Sequence, residues 1–235
     1  MVRIACALLL GIACTAPVAV QDVAAQEVAT RTWVDSHGTR WTEVTTTKTM
    51  VEEPLNQRIA KAIAGLPRFG PFAVIDSSHA ALVGEVDSAS PGQFKEMLKA
   101  HPGIRVLELV DCPGTVDDGA NLVLGRMIRR HGVATDVPSG GSVRSGGVEI
   151  FLAGVSRSAA PDAEFGVHSW KDESGHQPGD FPPDAPANKV YLDYYREMGL
   201  TDENAEDLYA LTNSVPNEEM LWLRTKDIKP YVPMQ

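Results

Sequence analysis

The sequence predicts an α/β fold built on a parallel sheet, because short apolar runs alternate with amphipathic segments between residues 72 and 168. Arg105–Val110 is short and mostly apolar, which is typical of a buried parallel strand. Gly119–His131 has apolar residues at helical spacing and ends in basic residues before Gly132, as helix C-termini often do. This alternation favours right-handed crossovers between parallel strands.

Each element of this domain is predicted from its local pattern. Strands are predicted at Phe72–Asp76, Ala81–Val86, Arg105–Val110, Ala134–Val137 and Glu164–His168. Helices are predicted at Pro91–Ala100, with Ser90 as its cap, and at Gly119–His131, Gly146–Leu152, Lys189–Met198, Glu203–Leu211 and Glu218–Leu223. Residues 171–186 are rich in Gly, Pro and Asp and are expected to form a surface loop.

Residues 1–25 have the pattern of a secretory signal peptide. Arg3 precedes the apolar run Ile4–Ala13, and the small residues of Val23–Ala25 precede Gln26. The apolar run is shorter than the ~20 residues that span a bilayer. We therefore expect export to the periplasm or beyond, cleavage before Gln26 and no membrane attachment afterwards. Lipoprotein processing before Cys14 is the alternative.

Residues 26–72 are predicted to form an N-terminal accessory region, followed by the main domain at 73–235. Thr30–Val34 and Arg40–Thr46 alternate and are rich in Thr, Val and Trp, which indicates a β-hairpin. Pro54–Ala64 has helical spacing, and Leu66–Pro71 is a Pro/Gly-broken linker.

The composition excludes several classes of partner and site. The net charge of −10 disfavours long-range attraction to nucleic acid or anionic lipid. Cys112 is the one cysteine outside the signal, so the mature chain has no internal disulfide, and we expect this residue to be buried. The sequence has no phosphate-binding loop, no dinucleotide fingerprint and no paired Cys/His metal motif, so no cofactor is expected.

Ser145 and His168 are the candidate catalytic residues. Ser145 follows the Gly/Ser-rich stretch Ser139–Ser142 and precedes a helix, where unpaired amides and the helix dipole favour negative charge. A serine there could instead merely cap the helix. His168 ends a predicted strand 23 positions later and could take the serine's proton, or could be a buried histidine bonded to backbone.

The order of strand, glycine turn, helix, serine and histidine resembles the Clp protease/crotonase superfamily. The likeness covers about residues 80–225 and is carried by Asp111–Thr115, Ser145–Gly147 and Gly166–Ser169. Within it, the chain is most similar to small periplasmic Clp-protease-like proteins of bacteria. The resemblance implies a ββα superhelix, Ser145 as nucleophile and His168 as base. It also implies an oxyanion hole made by Gly146 with Gly114 or Thr115.

The chain departs from the family pattern in the oxyanion turn, at the third triad member and around the nucleophile, where Val143 and Gly147 stand in place of two cysteines. Cys112 and Thr115 replace a serine and a glycine of the oxyanion turn, and no aspartate occupies the expected region of the third triad member. We predict Glu218 in that role. The other candidates are a bare Ser–His dyad and Asn213, Asn217, Glu219 or Asp207, and a serine–lysine pair would use Lys171.

These features predict a periplasmic serine hydrolase, in particular a peptidase acting on peptides or proteins. Because relatives form rings or trimers, the resemblance also implies a homo-oligomer, and a peptidase active only inside an assembly is one variant of this hypothesis. The main alternative is a catalytically degenerate binding or envelope-assembly protein. A crotonase-type acyl-CoA enzyme is disfavoured, because CoA is cytoplasmic and this chain is expected to be exported.

Overall fold

The computed structural model describes residues 26–34, 40–48, 59 and 61–235, so the predicted signal peptide lies outside the described residues. The chain divides into two compact units, Met1–Glu52 and Glu53–Gln235. In the first unit, β1 (Gln26–Val34) pairs antiparallel with β2 (Arg40–Lys48). The predicted hairpin is therefore confirmed, and both strands are longer than expected.

The second unit contains a nine-stranded, mostly parallel sheet. Its strands are β3 (Arg68–Phe69), β4 (Phe72–Val74), β5 (His79–Val83), β6 (Val106–Cys112), β7 (Ala134–Val137), β8 (Ser142–Arg144), β9 (Arg157–Ala159), β10 (Glu164–Val167) and β11 (Leu221–Arg224). The main path runs β11-β10-β8-β6-β5-β4-β3, and β7 and β9 branch from β6. Strands β5 to β10 pair in parallel, whereas β3, β4 and β11 join antiparallel.

Six α-helices whose bounds the structure gives connect or flank these strands, besides a short 3-10 helix at Pro178–Asp180 and helical residues at 59 and 61–62. The six α-helices are α1 (Ser90–Ala100), α2 (Asp118–Arg130), α3 (Gly147–Leu152), α4 (Pro186–Glu197), α5 (Asp202–Thr212) and α6 (Thr225–Ile228). None of the helices in the described ranges has both the length and the apolar character that a bilayer crossing requires. The architecture is the predicted α/β class with a parallel central sheet.

The core lies where α2, α3 and α4 meet around the centre of the sheet. Leu124 and Ile128, one turn apart on α2, are fully buried. Gly125 allows α4 to approach closely, because a Cβ there would lie 1.8 Å from the hydroxyl oxygen of Tyr194. The Tyr194 hydroxyl donates to the Glu149 carbonyl at 2.7 Å, so α4 is fixed against the helix that follows Ser145.

The helix predicted at Glu218–Leu223 is wrong, because Leu221–Arg224 forms β11 at the edge of the sheet. Leu221 and Leu223 are buried, whereas Trp222 and Arg224 between and after them are exposed. This period of two is the signature of a strand with one buried face. The segment is too short for its sequence pattern to separate a strand from a helix turn.

The start of α1 also differs from the prediction, because Ser90 lies inside the helix and Ala89 precedes it as the N-cap. The Asp87 carboxylate accepts hydrogen bonds from the amides of Ala89 and Ser90, at 3.0 Å each, and from the Ser90 hydroxyl at 2.8 Å. Asp87 therefore satisfies the free amides that Ser90 was expected to satisfy.

The predicted domain boundary at residues 72–73 stays a prediction. Within the described residues, however, the chain before it already packs with the main sheet. Ile59 and Ile63 form a buried cluster with Ala73 and Ala81, and β3 pairs with β4.

Candidate active site

Ser145 has an unusual backbone conformation between β8 and α3. Its φ is 49°, and it is the only non-glycine residue with a positive φ in the described part of the chain. Its amide donates to the Gly166 carbonyl at 2.8 Å, and its carbonyl accepts from Val148 at 2.9 Å, which fixes this geometry. Conformations of this kind cost free energy and cluster at functional sites.

Ser145 does not cap the helix that follows it. The N-cap of α3 is Gly146, with φ −54° and ψ −13°, and no side chain caps this helix. The Ser145 hydroxyl makes no hydrogen bond to any residue that the structure describes. The capping alternative is therefore wrong, and the hydroxyl is left available to an external group.

Ser145 and His168 line the same cleft, which has a volume of about 640 Å³. Ser145 follows the end of β8 and His168 follows the end of β10, and these strands are parallel neighbours. The carboxyl ends of adjacent parallel strands meet at one edge of a sheet, which explains why residues 23 positions apart in the sequence share one cleft. Gly146, Thr115 and Asn217 also line it.

The His168 ring is held from its Nδ1 side. Nδ1 lies 2.9 Å from the Ser169 carbonyl oxygen and 3.1 Å from Nδ2 of Asn217. Nδ2 of Asn217 also donates to the same Ser169 carbonyl at 2.8 Å. When Nδ1 carries a proton and donates it to this carbonyl, Nε2 of the neutral ring is an acceptor, as a general base requires.

The structure brings Asn217, rather than the predicted Glu218, to the His168 ring. Oε1 of Glu218 accepts from Nζ of Lys171 at 2.8 Å, and this hydrogen bond lowers the pKa of the Glu218 carboxyl. Glu218 and Asp207 are exposed, and neither lines the cleft. Asn213 lines the cleft, but its Oδ1 accepts from the Trp170 amide at 3.3 Å. Lys171 also lines the cleft and is paired with Glu218.

The backbone amides of Gly146 and Thr115, which both line the cleft, have no acceptor among the described residues. Gly114 itself does not line the cleft. Gly114 carries the positive φ of this turn, 129°, and Thr115 has an ordinary negative φ. A threonine is therefore accommodated at position 115 without backbone strain.

The turn that carries Thr115 approaches Ser145 closely because it contains glycine. A Cβ at Gly114 would lie 3.0 Å from Cβ of Ser145 and 3.5 Å from its Oγ. A Cβ at Gly146 would lie 2.5 Å from Cγ2 of Thr115. Any larger residue at either position would therefore push the turn and the serine apart.

Polar side chains fix the two segments of the site to each other. Arg144 donates to the Asp111 carboxylate at 2.7 Å and so joins the end of β8 to the end of β6. Asn121, which is buried on α2, donates to the Gly146 carbonyl at 2.7 Å. Asn121 was not predicted as a site residue, since its role depends on a contact 25 positions along the chain.

Glu149 is a buried carboxyl at one wall of the cleft. Its side chain is only 7% exposed, and its Oε1 accepts from the Tyr195 hydroxyl at 2.7 Å. Burial raises the pKa of Glu149 to about 7. The sequence offered no signal for this group, because its burial depends on α4 packing over α3.

Cys112 is buried, as predicted, and burial raises the pKa of its thiol to about 12, so it is not a nucleophile. Among the described residues, no three His, Cys, Asp or Glu side chains are grouped so as to hold a metal ion.

The sequence matches no protein-family model and no curated protein. Among solved structures, it is similar to a variant of the 1510-N membrane-bound stomatin-specific protease in complex with a substrate peptide. The identity is 16% and the TM-score 0.44, over 69% of this chain and 75% of that chain. For the 1510-N membrane protease specific for a stomatin homolog from Pyrococcus horikoshii, the sequence identity is 15% and the TM-score 0.44, over 66% of this chain and 69% of that chain. For a ClpP1 variant from Listeria monocytogenes, the sequence identity is 17% and the TM-score 0.41, over 67% of this chain and 89% of that chain. The chain is thus similar, at low identity, to Clp-protease-like structures.

Proposed function

We propose that this chain is a serine hydrolase that cleaves peptides, with Ser145 as the nucleophile and His168 as the general base. The observation that carries the proposal is the backbone conformation of Ser145 together with its unbonded hydroxyl. Its backbone is held at a φ of 49°, and its hydroxyl has no partner among the described residues, in a cleft that His168 also lines. A serine kept in a strained conformation without a structural hydrogen bond favours a chemical role.

The proposed reaction is acyl transfer in two steps. Oγ of Ser145 attacks the scissile carbonyl carbon while Nε2 of His168 takes the hydroxyl proton. The carbonyl oxygen becomes an oxyanion, which the amides of Gly146 and Thr115 stabilise. His168 then gives its proton to the leaving amine, and an acyl-enzyme forms. Water attacks the acyl-enzyme, passing its proton to His168, and Ser145 is released with its proton restored.

In this proposal Asn217 is a positioning residue that acts through the Ser169 carbonyl. That carbonyl receives Nδ1–H of His168 and is itself held by Nδ2 of Asn217. Thr115, and not Gly114, supplies the second oxyanion donor, since Thr115 lines the cleft and Gly114 does not. Both assignments refine the choices that the sequence left open.

Labelling with a fluorophosphonate probe tests the proposed nucleophile, because such probes react with activated serines. The wild-type protein without residues 1–25 should be labelled, and the label should map to Ser145 by peptide mass spectrometry. Ser145→Ala should abolish labelling and His168→Ala should slow it strongly. His176→Ala is the matched control, because His176 is bonded to Asp172 in the surface loop and does not line the cleft. Equal losses in both histidine variants, with circular dichroism showing folded protein, would reject the mechanism.

The proposed location is the periplasm, and the support is the sequence pattern of residues 1–25. N-terminal sequencing of protein recovered from the periplasm should give a start near Gln26. Recovery of an intact Met1 would reject export. The resemblance also supports assembly as a homo-oligomer, which light scattering of the mature protein would test.

A catalytically degenerate binding protein remains the second candidate, and one observation favours it. The group beside the His168 ring is the neutral side chain of Asn217. A neutral amide does not compensate the charge of an imidazolium as a carboxylate does, so proton transfer from Ser145 is less favoured. Absence of Ser145 labelling in folded protein would support this candidate.

A further inference from the structure

The charged groups around the cleft are strongly unbalanced. Five carboxyl groups line it, those of Asp117, Asp118, Glu149, Asp172 and Glu173, against one ammonium group. The ammonium belongs to Lys171, which is paired with Glu218. A concave site lined by one sign of charge attracts ligands of the opposite sign.

Two of these carboxyl groups serve the local structure. Oδ1 of Asp117 caps α2 through the Ala120 amide at 2.9 Å. Asp172 accepts hydrogen bonds from the Ser174 and His176 amides within its own loop. Three carboxyl groups therefore remain for a ligand, those of Asp118, Glu149 and Glu173, and the first two share one wall of the cleft.

Asp118 and Glu149 are brought to one wall by two tyrosines of α4. The Tyr191 hydroxyl donates to Oδ2 of Asp118 at 2.8 Å, and the Tyr195 hydroxyl donates to Oε1 of Glu149 at 2.7 Å. The tyrosines are four residues apart on one helix and therefore lie on the same face. No lysine or arginine in the described ranges pairs with either carboxyl group.

Aromatic side chains also line this side of the cleft. Tyr191, Tyr195, Tyr209 and Trp170 all line the cleft, and the ring of Trp170 stacks on that of Tyr191 with centroids 6.1 Å apart. A lysine or arginine side chain combines an apolar stem with a terminal cation. Such a side chain can pack its stem on aromatic rings while its cation meets a ring face and a carboxylate.

We propose that this wall, formed by Asp118, Glu149 and the ring of Tyr191, with the buried Tyr195 behind it, is a subsite for a lysine or arginine side chain of the bound peptide. Glu149 lies in α3, which begins two residues after Ser145, so the subsite adjoins the nucleophile. As a statement about substrate class, the inference rests on the function proposed above. It predicts that basic peptides, rather than apolar or acidic ones, are the preferred ligands.

Binding to the Ser145→Ala protein tests the inference without turnover. Fluorescein-labelled pentapeptides Ala-Ala-Xaa-Ala-Ala, with lysine, norleucine or glutamate as Xaa, are titrated at pH 8 and followed by anisotropy. The lysine peptide should bind about tenfold or more tighter than the norleucine peptide, and the glutamate peptide most weakly. High salt should reduce this preference.

Glu149→Gln, combined with Ser145→Ala, should lower lysine affinity toward that of norleucine and leave norleucine affinity nearly unchanged. Glu96→Gln is the matched control, because Glu96 is exposed on α1, away from the cleft, and it should change neither affinity. If Glu149→Gln fails to fold, Asp118→Asn carries the same comparison, since Asp118 is exposed.

The outcomes separate this inference from the proposed function. Labelling of Ser145 without a lysine preference would overturn the inference and leave the hydrolase standing. A lysine preference that Glu149→Gln removes, without any labelling of Ser145, would uphold the subsite and reject the hydrolase. A failure of all three peptides to bind, or an equal lysine preference in the Glu149→Gln protein, would overturn the inference.

Discussion

Nδ2 of Asn217 lies 3.1 Å from Nδ1 of His168, and both atoms are within hydrogen-bond distance of the Ser169 carbonyl oxygen. The imidazole is thus oriented by a backbone carbonyl that an amide side chain holds in place. No carboxylate takes part in this arrangement, so the ring is oriented without the negative charge that an aspartate would supply.

Asn217→Ala should lower kcat about 10- to 100-fold with a smaller effect on KM, because a poorly oriented base affects the chemical step more than binding. Asn217→Asp should instead shift the acidic limb of the rate–pH profile to higher pH, since a nearby negative charge favours the protonated ring. Steady-state kinetics from pH 5 to 9 measure both effects. An unchanged profile in Asn217→Asp would show that residue 217 does not act on the histidine.

Ser145→Gly should be more stable than Ser145→Ala by about 1 kcal/mol, because glycine adopts a positive φ without steric cost. Urea unfolding of the two inactive variants gives the difference. The same pair of substitutions at Ser88, which is exposed and has a negative φ, should give the opposite sign. Equal stabilities of the two Ser145 variants would mean that the backbone relaxes at no cost.

Gly114→Ala should destabilise the fold by about 2–4 kcal/mol and abolish labelling of Ser145, because the new methyl group meets both a positive φ and the serine side chain. Gly140→Ala is the matched control, since Gly140 has a φ of 73° but open space around its Cβ position. That variant should lose about 1–2 kcal/mol and keep its reactivity. Similar labelling of both proteins would show that the contact with Ser145 is unimportant.

Glu149 should make the fold less stable as pH rises from about 5 to 8. The pKa of its carboxyl is raised from 4.5 to about 7 in the folded protein, so the folded state keeps a proton that the unfolded state releases. The contribution of Glu149 to the free energy of unfolding is therefore fully present below the pKa that its carboxyl has in the unfolded chain. It is lost as pH rises through the pKa of the carboxyl in the folded protein, by at most ~3 kcal/mol. Glu149→Gln should lack this loss. Urea midpoints of both proteins at pH 5 and pH 8 give the comparison, and parallel changes would contradict it.

The sequence predicted five strands of the sheet because each is a short, mostly apolar run, whereas β3, β8 and β9 were missed because they are only two or three residues long. Ala134–Val137 forms the predicted strand with the same bounds, since its apolar residues lie between clear helix and turn signals. Leu221–Arg224 was wrongly predicted as part of a helix. An edge strand of four residues contains only two repeats of the apolar–polar alternation, which are too few to distinguish a strand from a helical turn.

The candidate site was predictable only in part. The order of motifs led to Ser145 and His168, which line one cleft. The choice between Asn217 and Glu218 depended on the path of a turn, for which side-chain periodicity gives no orientation. The choice between Gly114 and Thr115 depended on which residue of the turn faces the cleft, and no spacing rule encodes that.

The position of Trp170 gives the cleft an optical reporter. Its indole stacks on Tyr191, and its Nε1–H donates to the Tyr209 hydroxyl at 2.7 Å. A ligand that displaces solvent or protons near this ring should change the wavelength and intensity of its emission. The other three tryptophans are Trp33, Trp41 and Trp222, and Trp222 does not line the cleft. Replacing them with phenylalanine would leave Trp170 as the single tryptophan. Its fluorescence would then report ligand binding in the cleft beside Ser145 without any label or chromogenic substrate.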